Sequence, residues 1–361
     1  MRLNMHKLKN KFKRLIMSAA TIGTACLLAG CGAGAAAGTD NSSVTESQSG
    51  VNGSEQENAS SDSQKLQIVA TIFPEYDWVK EILGDQVENV DLTLLLGNGT
   101  DMHSFQPTME DILKVSTCDL FIYVGGESDS WVVDALKGAG NPDRKAINLM
   151  DVLGDQVKEE EIVEGMQDED GHTHEEEHTY DDDLEYDEHV WLSLKNASLF
   201  CDTIASSLAD VDPEHSRLYQ QNAEAYEEKL AALDQEYQTS VEKSQSKTLL
   251  FADRFPFRYL IDDYNLTYYA AFAGCSAETD ASFETITFLA GKLDELNLPA
   301  VLTIENSDQK VAKAVIENTN TKDQKILTLN SMQSVTTKDV EEGTTYLSIM
   351  ENNLQILKEA L

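Results

Sequence analysis

Short apolar runs alternate with amphipathic stretches along most of the chain from about residue 65 onward. The runs have the length of strands, and the stretches between them place an apolar side chain every three or four positions, as helices do. Predicted strands are Leu66–Ile72, Val90–Leu96, Leu120–Val124, Ala146–Leu149, Thr248–Ala252, Thr267–Ala271, Ala300–Ile304 and Lys325–Leu329. Strands that alternate with helices favour parallel α/β sheets, whose ligands bind beyond the carboxyl ends of the strands.

Helical spacing fills the gaps between these runs. Predicted helices are Glu75–Leu83, Pro107–Cys118, Ser130–Lys137, Leu194–Ala209, Phe257–Asp263, Ser282–Leu296, Gln309–Glu317 and Tyr346–Leu361. A further helical pattern reaches from Asp212-Pro213-Glu214 to about Ser244 and opens with an Asp cap and a proline in the first turn. At about 1.5 Å per residue it is about 48 Å long, which is more than one lobe needs.

The long helical pattern divides the predicted strands into two groups. We therefore predict an α/β protein with two Rossmann-like lobes, residues 65–193 and 247–361, whose parallel sheets are joined by linking helices over 194–246. The long helix makes this connection a rigid backbone instead of a flexible hinge. The chain is long enough for each lobe to have a core of its own.

The first 64 residues follow a different pattern. A basic segment precedes the apolar stretch Leu15–Leu28, which is too short to span a membrane and is typical of a signal peptide. It ends in Leu28-Ala29-Gly30-Cys31, which resembles the lipobox of bacterial lipoproteins, where the signal is cut before a cysteine that is then lipidated. We predict a signal peptide over 1–30, lipidation at Cys31 and a flexible tether over 31–64. An ordinary secretory signal with a chance cysteine is the alternative.

Acidic residues dominate the composition. The 64 acidic and 27 basic residues give a formal net charge of −37. Such a charge repels nucleic acid and attracts cations, so we expect no nucleic-acid partner, although acidic residues also serve solubility alone. No other stretch is apolar enough to span a bilayer, so we expect a lipid-anchored protein at the extracytoplasmic face of the cell membrane.

Five cysteines are present, of which Cys26 falls in the signal and Cys31 is the predicted anchor. The remaining Cys118, Cys201 and Cys275 lie far apart without CxxC spacing, which argues against a cysteine-rich zinc site. One disulfide in an oxidising compartment and three buried thiols are both open.

Histidines are concentrated in one acidic stretch, where four of the seven lie between His172 and His189. Imidazole and carboxylate groups are ligands of zinc and its neighbouring metals. His172, His174 and His178 lack apolar neighbours that would order a rigid site, so we predict a mobile metal-capture loop at about 157–188. A solvated acidic loop with incidental histidines is the alternative.

Two further histidine positions indicate a fixed site. His189 follows two acids, which can orient its ring, and precedes the apolar run Val190-Trp191-Leu192. A half-buried histidine packed on Trp191 is the alternative. His103 lies in the loop Gly99–Pro107, directly after the second predicted strand, where an α/β site is expected. There the alternative is a solvated loop histidine.

The two loops together resemble those of the zinc and manganese ABC-transporter solute-binding lipoproteins. The matching patterns are Gly-x-Asp-x-His-x-x-x-Pro around His103 and Asp-x-His-x-Trp-Leu around His189. The order of lipobox, first lobe, acidic His-rich insert, long helix and second lobe is similar too. The resemblance implies that His103 and His189 are the first two metal ligands. It also implies an ABC permease with its ATPase as partner, and a monomeric protein. Because the insert is His-rich, the chain is most similar to the zinc-uptake branch, with Zn²⁺ preferred to Mn²⁺.

The second lobe departs from the pattern of this family. The family's third ligand, a His or Glu, falls on Ala252 or Arg254, neither of which can coordinate a metal. Asp253, between them, is the predicted substitute. The family's late Asp corresponds to Asn330, a poor zinc ligand, so Glu305 is the other predicted carboxylate. Glu305 alternatively structures the cleft through hydrogen bonds.

The function predicted from these features is a non-catalytic receptor that captures Zn²⁺ between two lobes and delivers it to an ABC permease for uptake. A manganese receptor of the same fold is one alternative. A zinc hydrolase would use an open coordination position, but no HExxH pattern or Gly-x-Ser-x-Gly elbow is present. An adhesin on the same scaffold also stays open.

Overall fold

The computed structural model describes residues 65–138, 140–167, 185–276 and 280–361. The predicted signal peptide, Cys31 and the tether lie outside these ranges, and so do His172, His174 and His178. Within the described ranges the chain forms two four-stranded sheets together with helices. This architecture agrees with the predicted α/β class.

Both sheets are parallel and have equivalent strand orders. The first contains β1 (Leu66–Ala70), β2 (Val90–Leu94), β3 (Leu120–Tyr123) and β4 (Lys145–Asn148), in the order β2-β1-β3-β4. The second contains β5 (Thr248–Phe255), β6 (Thr267–Ala273), β7 (Ala300–Ile304) and β8 (Lys325–Leu329), in the order β6-β5-β7-β8. Each of these strands overlaps one of the apolar runs from which strands were predicted.

The helices differ from the prediction mainly at their ends. They are α1 (Phe73–Leu83), α2 (Met109–Thr117), α3 (Val132–Leu136), α4 (Leu149–Leu153), α5 (Leu194–Val211), α6 (Ser216–Lys243), α7 (Arg258–Asp263), α8 (Phe283–Leu296), α9 (Lys310–Glu317), α10 (Thr337–Glu341) and α11 (Tyr346–Ala360). The short helices α4 and α10 were not predicted. None of the helices in the described ranges is long and apolar enough to cross a membrane.

Helix α6 is bonded to both lobes, as its length predicts. Its 28 residues span about 42 Å. Near its start, the side chain of Asn222 donates to the carbonyl of Ile82 in α1 at 2.9 Å. Nearer its end, the hydroxyl of Tyr237 donates to the carbonyl of Met350 in α11 at 2.6 Å. A single helix therefore fixes elements of the first and second lobes.

One hydrophobic cluster runs through both lobes, in contrast to the expectation of separate cores. The indole N–H of Trp191 donates to the carbonyl of Ser331 at 2.8 Å, and the hydroxyl of Tyr346 donates to the carbonyl of Trp191 at 2.8 Å. The rings of Trp78 and Tyr346 also pack with centroids 5.2 Å apart. Each lobe has in addition a smaller cluster of its own. The lobes are thus joined by buried packing as well as by α6.

Candidate metal centre

His103 lies on a 3₁₀ turn in the loop after β2. The turn begins with Asp101, whose Oδ1 accepts from the backbone N–H of His103 at 3.1 Å. On the ring, Nδ1 lies 2.9 Å from Oγ of Ser128 and 3.6 Å from Oε2 of Glu188. These neighbours occupy one nitrogen of the imidazole and leave Nε2 for another partner.

His189 is completely buried and precedes α5 by a short 3₁₀ turn. Oδ1 of Asp187 accepts from its backbone N–H at 2.8 Å and lies 3.0 Å from Nδ1 of its ring. Asp187 is itself held by the hydroxyl of Tyr259, which donates to its carbonyl at 2.9 Å. The ring also packs against Trp191, with centroids 5.2 Å apart. Orientation by an acid and packing on the tryptophan, given above as alternatives, therefore occur together.

The two imidazole rings meet at their Nε2 atoms. These nitrogens lie 3.2 Å apart, and the ring centroids are 5.1 Å apart. Two nitrogens bound at about 2.05 Å to one tetrahedral zinc ion would lie about 3.3 Å apart. The spacing therefore matches two ligands of a single ion. The other nitrogen of each ring has a polar neighbour, which is the usual arrangement of metal-bound histidines.

Cys275 adds a third possible ligand. Its Sγ and one ring nitrogen of each of His103 and His189 all lie within 4.8 Å of one another. No other group of three or more His, Cys, Asp or Glu side chains has such geometry in the ranges that the structure describes. The thiols of Cys118, Cys201 and Cys275 are all free, so the possible disulfide is not formed among them.

Two features place Cys275 beyond the end of β6. Its backbone N–H donates to Oε1 of Glu160 at 3.1 Å. The preceding Gly274 lets the loop pass close to the histidine, since a Cβ there would lie 3.1 Å from Cε1 of His189 and 2.8 Å from the carbonyl oxygen of Phe255. Because the second distance is shorter than side chains tolerate, this approach depends on glycine.

The structure does not bring Asp253 to the histidines, although the sequence predicts it as a ligand. Its Oδ1 accepts from the backbone N–H of Arg254 at 2.9 Å, and its Oδ2 accepts weakly from that of Ile304 at 3.4 Å. The carboxylate therefore bonds the backbone where β5 and β7 lie side by side. Ala252, the other position considered, is buried among apolar side chains of the second lobe.

Glu305 likewise lies outside the group of possible ligands. Its Oε2 accepts from the backbone N–H of Ser331 at 2.7 Å, and its Oε1 accepts from the hydroxyl of Ser331 at 2.8 Å and from the N–H of Gln333 at 3.1 Å. These bonds order the loop after β8, which is the structural role left open by the sequence. The predicted ligand role of Glu305 is not supported by this geometry.

Arg254 and Gln333 reach Asp101, in the loop of His103, from the second lobe. Nη2 of Arg254 donates to Oδ2 of Asp101 at 2.7 Å, an ion pair between the lobes. When the amide nitrogen of Gln333 faces Asp101, it lies 3.0 and 3.1 Å from the two carboxylate oxygens, and the amide oxygen lies 3.0 Å from Nε2 of His189. Gln333 was not predicted, because nothing in the sequence distinguishes it from other polar loop residues.

Burial sets the protonation of the possible ligands. It lowers the pKa of His103 to about 3, and the neighbouring His189 acts in the same direction. His103 is therefore neutral near pH 7, which is the form that binds metal. Burial also raises the pKa of the Cys275 thiol, with the charge of Glu160 adding to this effect. The thiol must therefore lose its proton when it binds a metal.

A family model supplies the deciding comparison. The model described as zinc-uptake complex component A, periplasmic (ZnuA), matches residues 68–360. The chain belongs to this family. Membership confirms the resemblance inferred from the two histidine loops, and the ZnuA family has the two-lobed α/β architecture described above.

Individual relatives agree with the ZnuA assignment. The zinc-binding lipoprotein AdcA of Streptococcus pneumoniae is 30% identical over 299 residues, which cover 82% of this chain and 56% of AdcA. The chain thus spans little more than half the length of AdcA. The high-affinity zinc uptake system protein ZnuA of Bacillus subtilis is 29% identical over 310 residues, which cover 86% of this chain and 92% of that protein.

A solved structure shows the same fold. The Zn(II)-bound ZnuA-like domain of Streptococcus pneumoniae AdcA matches with a TM-score of 0.64 and 27% sequence identity. The match covers 82% of this chain and 98% of that domain. The two sheets, the long helix and the loops between the lobes therefore belong to an architecture that is seen with zinc in a relative.

Proposed function

We propose that this chain is an extracytoplasmic, non-catalytic receptor that binds Zn²⁺ between its two lobes and delivers it to an ABC permease driven by a separate ATPase. The observation that carries the proposal is the 3.2 Å separation of Nε2 of His103 and Nε2 of His189, whose other ring nitrogens have polar neighbours. The names of the relatives, a zinc-binding lipoprotein and a zinc uptake protein, support zinc as the ion in preference to manganese.

The surroundings of the histidines favour holding an ion over hydrolysis. A zinc hydrolase needs a metal-bound water and an acid–base group beside it. Asp187 and Glu188 lie on the Nδ1 sides of the two rings, away from the nitrogens that converge. Asp101 is paired with Arg254. The carboxylates close to the pair are therefore engaged in orienting it or in joining the lobes.

The ends of the His-rich stretch support its proposed role in metal capture. On one side, the backbone N–H of Gln167 donates to the carbonyl of Ala271 in β6 at 2.9 Å, and its Oε1 accepts from the N–H of Ser282 at 2.7 Å. On the other side, the carbonyl of Glu185 accepts from the N–H of Glu160 at 2.9 Å. Glu160 also bonds the backbone of Cys275, so the first end is fixed at β6 and the second end beside the loop of Cys275.

We propose further that the protein is a monomer attached to the membrane through Cys31. This residue lies outside the described ranges, and the support for it is the lipobox-like run Leu28–Cys31. The relative AdcA carries the name of a lipoprotein, which agrees with this proposal. A lipid anchor and the tether over 31–64 would hold the receptor next to its permease.

Removal of either histidine tests the receptor site. We expect His103→Ala and His189→Ala each to weaken zinc binding by about 100-fold or more, because loss of a ligand should exceed the 10- to 100-fold effect of losing a group that only orients one. Isothermal titration calorimetry of the full chain would measure the affinity.

His215→Ala is the matched control for these variants. His215 lies before α6, where its Nδ1 is 2.8 Å from Oδ2 of Asp212, and it is not part of the group formed by His103, His189 and Cys275. This control should bind zinc with wild-type affinity. Undiminished affinity in both His103→Ala and His189→Ala would contradict the proposed site.

A further inference from the structure

We propose that Cys275 is the third zinc ligand and that its thiolate makes the site selective for zinc over manganese. This inference rests on the proposed function, since it concerns the same ion at the same pair of histidines. It places a sulfur ligand from the second lobe where the sequence predicts a carboxylate.

The distances permit one ion to bind all three residues. A tetrahedral zinc ion with Zn–N of about 2.05 Å and Zn–S of about 2.3 Å separates nitrogen and sulfur by about 3.6 Å. Sγ of Cys275 and the nitrogens of His103 and His189 already lie within 4.8 Å of one another. A movement of roughly 1 Å, within the range of a side-chain adjustment, brings the thiolate to bonding distance.

The loop holds Cys275 toward the histidines through its backbone. The N–H of Cys275 is bonded to Glu160, and Gly274 allows the chain to pass within contact of the His189 ring. Cys275 is half-buried and forms no disulfide. Its proximity to the imidazoles therefore follows from the hydrogen bond to Glu160 and from the absence of a Cβ at Gly274.

The carboxylates closest to competing for this position are held elsewhere. Asp253 bonds backbone N–H groups of β5 and β7, and Glu305 bonds the loop after β8. Asp101 is paired with Arg254 at 2.7 Å. Glu188 lies near Nδ1 of His103, on the opposite side of the ring from Nε2. Cys275 is the one remaining donor able to carry a negative charge that groups with a ring nitrogen of each histidine in the described ranges.

Charge balance also favours a thiolate. With two neutral imidazoles as the only ligands, no atom bonded to the zinc ion would carry a negative charge, because the carboxylates of Asp187 and Glu188 lie on the Nδ1 sides of the rings. The guanidinium of Arg254, paired with Asp101 in the same loop as His103, makes the surroundings less favourable still. The group of His103, His189 and Cys275 contains no carboxylate, so the thiolate of Cys275 is its source of negative charge.

The chemistry of sulfur accounts for the selectivity. Thiolates bind zinc and other soft metals strongly, whereas manganese prefers carboxylate, carbonyl and water oxygens. A site of two imidazoles and a thiolate therefore distinguishes zinc from manganese through its third ligand. If the carboxylate of Asp253 or Glu305 were the third ligand, the site would discriminate less strongly between zinc and manganese.

Cobalt absorption provides the decisive test. Co²⁺ substitutes for zinc, and a cobalt–thiolate bond gives an intense charge-transfer band in the near ultraviolet that imidazole and carboxylate ligands do not give. We expect the full lipidated, reduced chain to show this band when loaded with Co²⁺, and Cys275→Ser to lose it. Cys118→Ala, which removes a buried thiol of a separate first-lobe cluster, should retain it.

The outcomes separate this inference from the proposed function. Binding of Co²⁺ and Zn²⁺ by the wild-type chain without the band would overturn Cys275 as a ligand and leave the receptor role intact. The same holds if the band persists in Cys275→Ser. Failure of the wild-type chain to bind either ion would overturn the receptor role together with the ligand assignment.

Metal titrations test the selectivity. Cys275→Ser should weaken zinc binding by roughly 100-fold and change manganese binding by less than about threefold. Cys275→Asp should recover part of the zinc affinity and bind manganese more tightly than the wild type. Equal losses for the two metals in Cys275→Ser would contradict a selective thiolate. Unfolding midpoints without metal verify that each variant is folded.

Discussion

At the scale of single residues, Gly274 determines how closely the second lobe approaches the histidine pair. A methyl group at this position would meet the carbonyl oxygen of Phe255 at 2.8 Å and the His189 ring at 3.1 Å, so the loop would have to move. We expect Gly274→Ala to weaken zinc binding by about tenfold, or about 1.4 kcal/mol, through displacement of Cys275. Calorimetric titration with zinc measures the change.

Gly291→Ala provides the comparison for this variant. Gly291 lies inside α8, and an added Cβ would meet no atom within 4 Å. The control should leave zinc affinity unchanged and raise the free energy of unfolding by up to about 1 kcal/mol, the helix-propensity difference between glycine and alanine. If Gly274→Ala also binds zinc normally, the close approach of the loop is not needed for binding.

The sequence could predict part of the site because two of its residues stand in short, ordered patterns. His103 follows a strand within a polar loop, and His189 is framed by acids and a buried tryptophan. Cys275 follows the predicted strand Thr267–Ala271 and so obeys the same positional rule. Cys275 was not predicted as a ligand because His103 and His189 are on the other lobe. The spacing of residues within one loop does not indicate a contact with a loop that is distant in the sequence.

At the scale of elements, helix α1 contains a buried acid at its first turn. Oε2 of Glu75 accepts from the backbone N–H and hydroxyl of Thr71, at 2.8 and 3.0 Å, and from the N–H of Ile72 at 3.2 Å. Burial nevertheless raises the pKa of Glu75 from 4.5 to about 8, and the charge of Asp129 adds to the shift. Desolvation therefore outweighs the three hydrogen bonds that favour the carboxylate.

This shift predicts a pH dependence of stability. Because the folded-state pKa of Glu75 is raised, its contribution to the free energy of unfolding is fully present below about pH 4.5. This contribution is lost as the pH rises through about 8. In that window the free energy of unfolding should fall by about 1.4 kcal/mol per pH unit from Glu75 alone. Glu75→Gln, which keeps the neutral form, should remove this part of the slope.

Urea unfolding of the two proteins at several pH values measures the effect. Asp77, whose pKa burial raises to about 7, contributes equally to both. Asp129, whose pKa burial also raises to about 7, interacts with Glu75, so the difference between the two profiles reports Glu75 together with this interaction. Glu224→Gln, on the exposed side of α6, should retain the wild-type slope. An identical slope in Glu75→Gln would show that Glu75 is ionised in the folded protein.

The elements themselves were predicted well where apolar periodicity is sustained. All eight strands overlap their predicted runs, and α6 is shorter than predicted only by its first 3₁₀ turn, Pro213–His215. The predicted start of α2 at Pro107 was wrong, because the helix begins after Thr108. Thr108 and Asp111 form a capping box there that position-by-position hydrophobicity does not reveal. The helices α4 and α10, with five residues each, are too short for a helical period.

At the scale of the whole molecule, the segment before the His-rich stretch crosses from the first lobe to the edge of the second sheet. Gln167 and Glu160 bond to the second lobe there. Removal of residues 160–185 would therefore damage the loop of Cys275 as well as the capture loop. Substitution of the three histidines alone is the sharper test of capture.

The variant His172→Ala/His174→Ala/His178→Ala should retain the zinc affinity of the fixed site but load more slowly. The reason is that several weak imidazole ligands raise the local concentration of zinc when the ion is scarce. Stopped-flow binding and cellular zinc uptake at limiting zinc measure the effect. Unchanged loading and uptake would contradict capture and favour a solvated acidic loop with incidental histidines.

The two-lobed architecture could be predicted from the sequence, but the shared core could not. Periodicity shows that a face of an element is buried without showing what covers it. Trp191 lies in a first-lobe segment that was predicted to be apolar, yet its indole bonds to Ser331 of the second lobe. Tyr346 similarly joins Trp78 and Trp191 of the first lobe to α11. Such pairings depend on the assembled fold.

The shared core has a consequence for how the cargo leaves. Receptors that close like a clamshell release their ligand when a hinge between the halves opens, but here α6 and the Trp191–Tyr346 contacts span the place where such a hinge would lie. We therefore expect release to proceed at the rim, by withdrawal of a loop and stepwise exchange of one ligand for another. In that case the proposed permease would have to replace the ligands of the ion one at a time, instead of separating the two lobes.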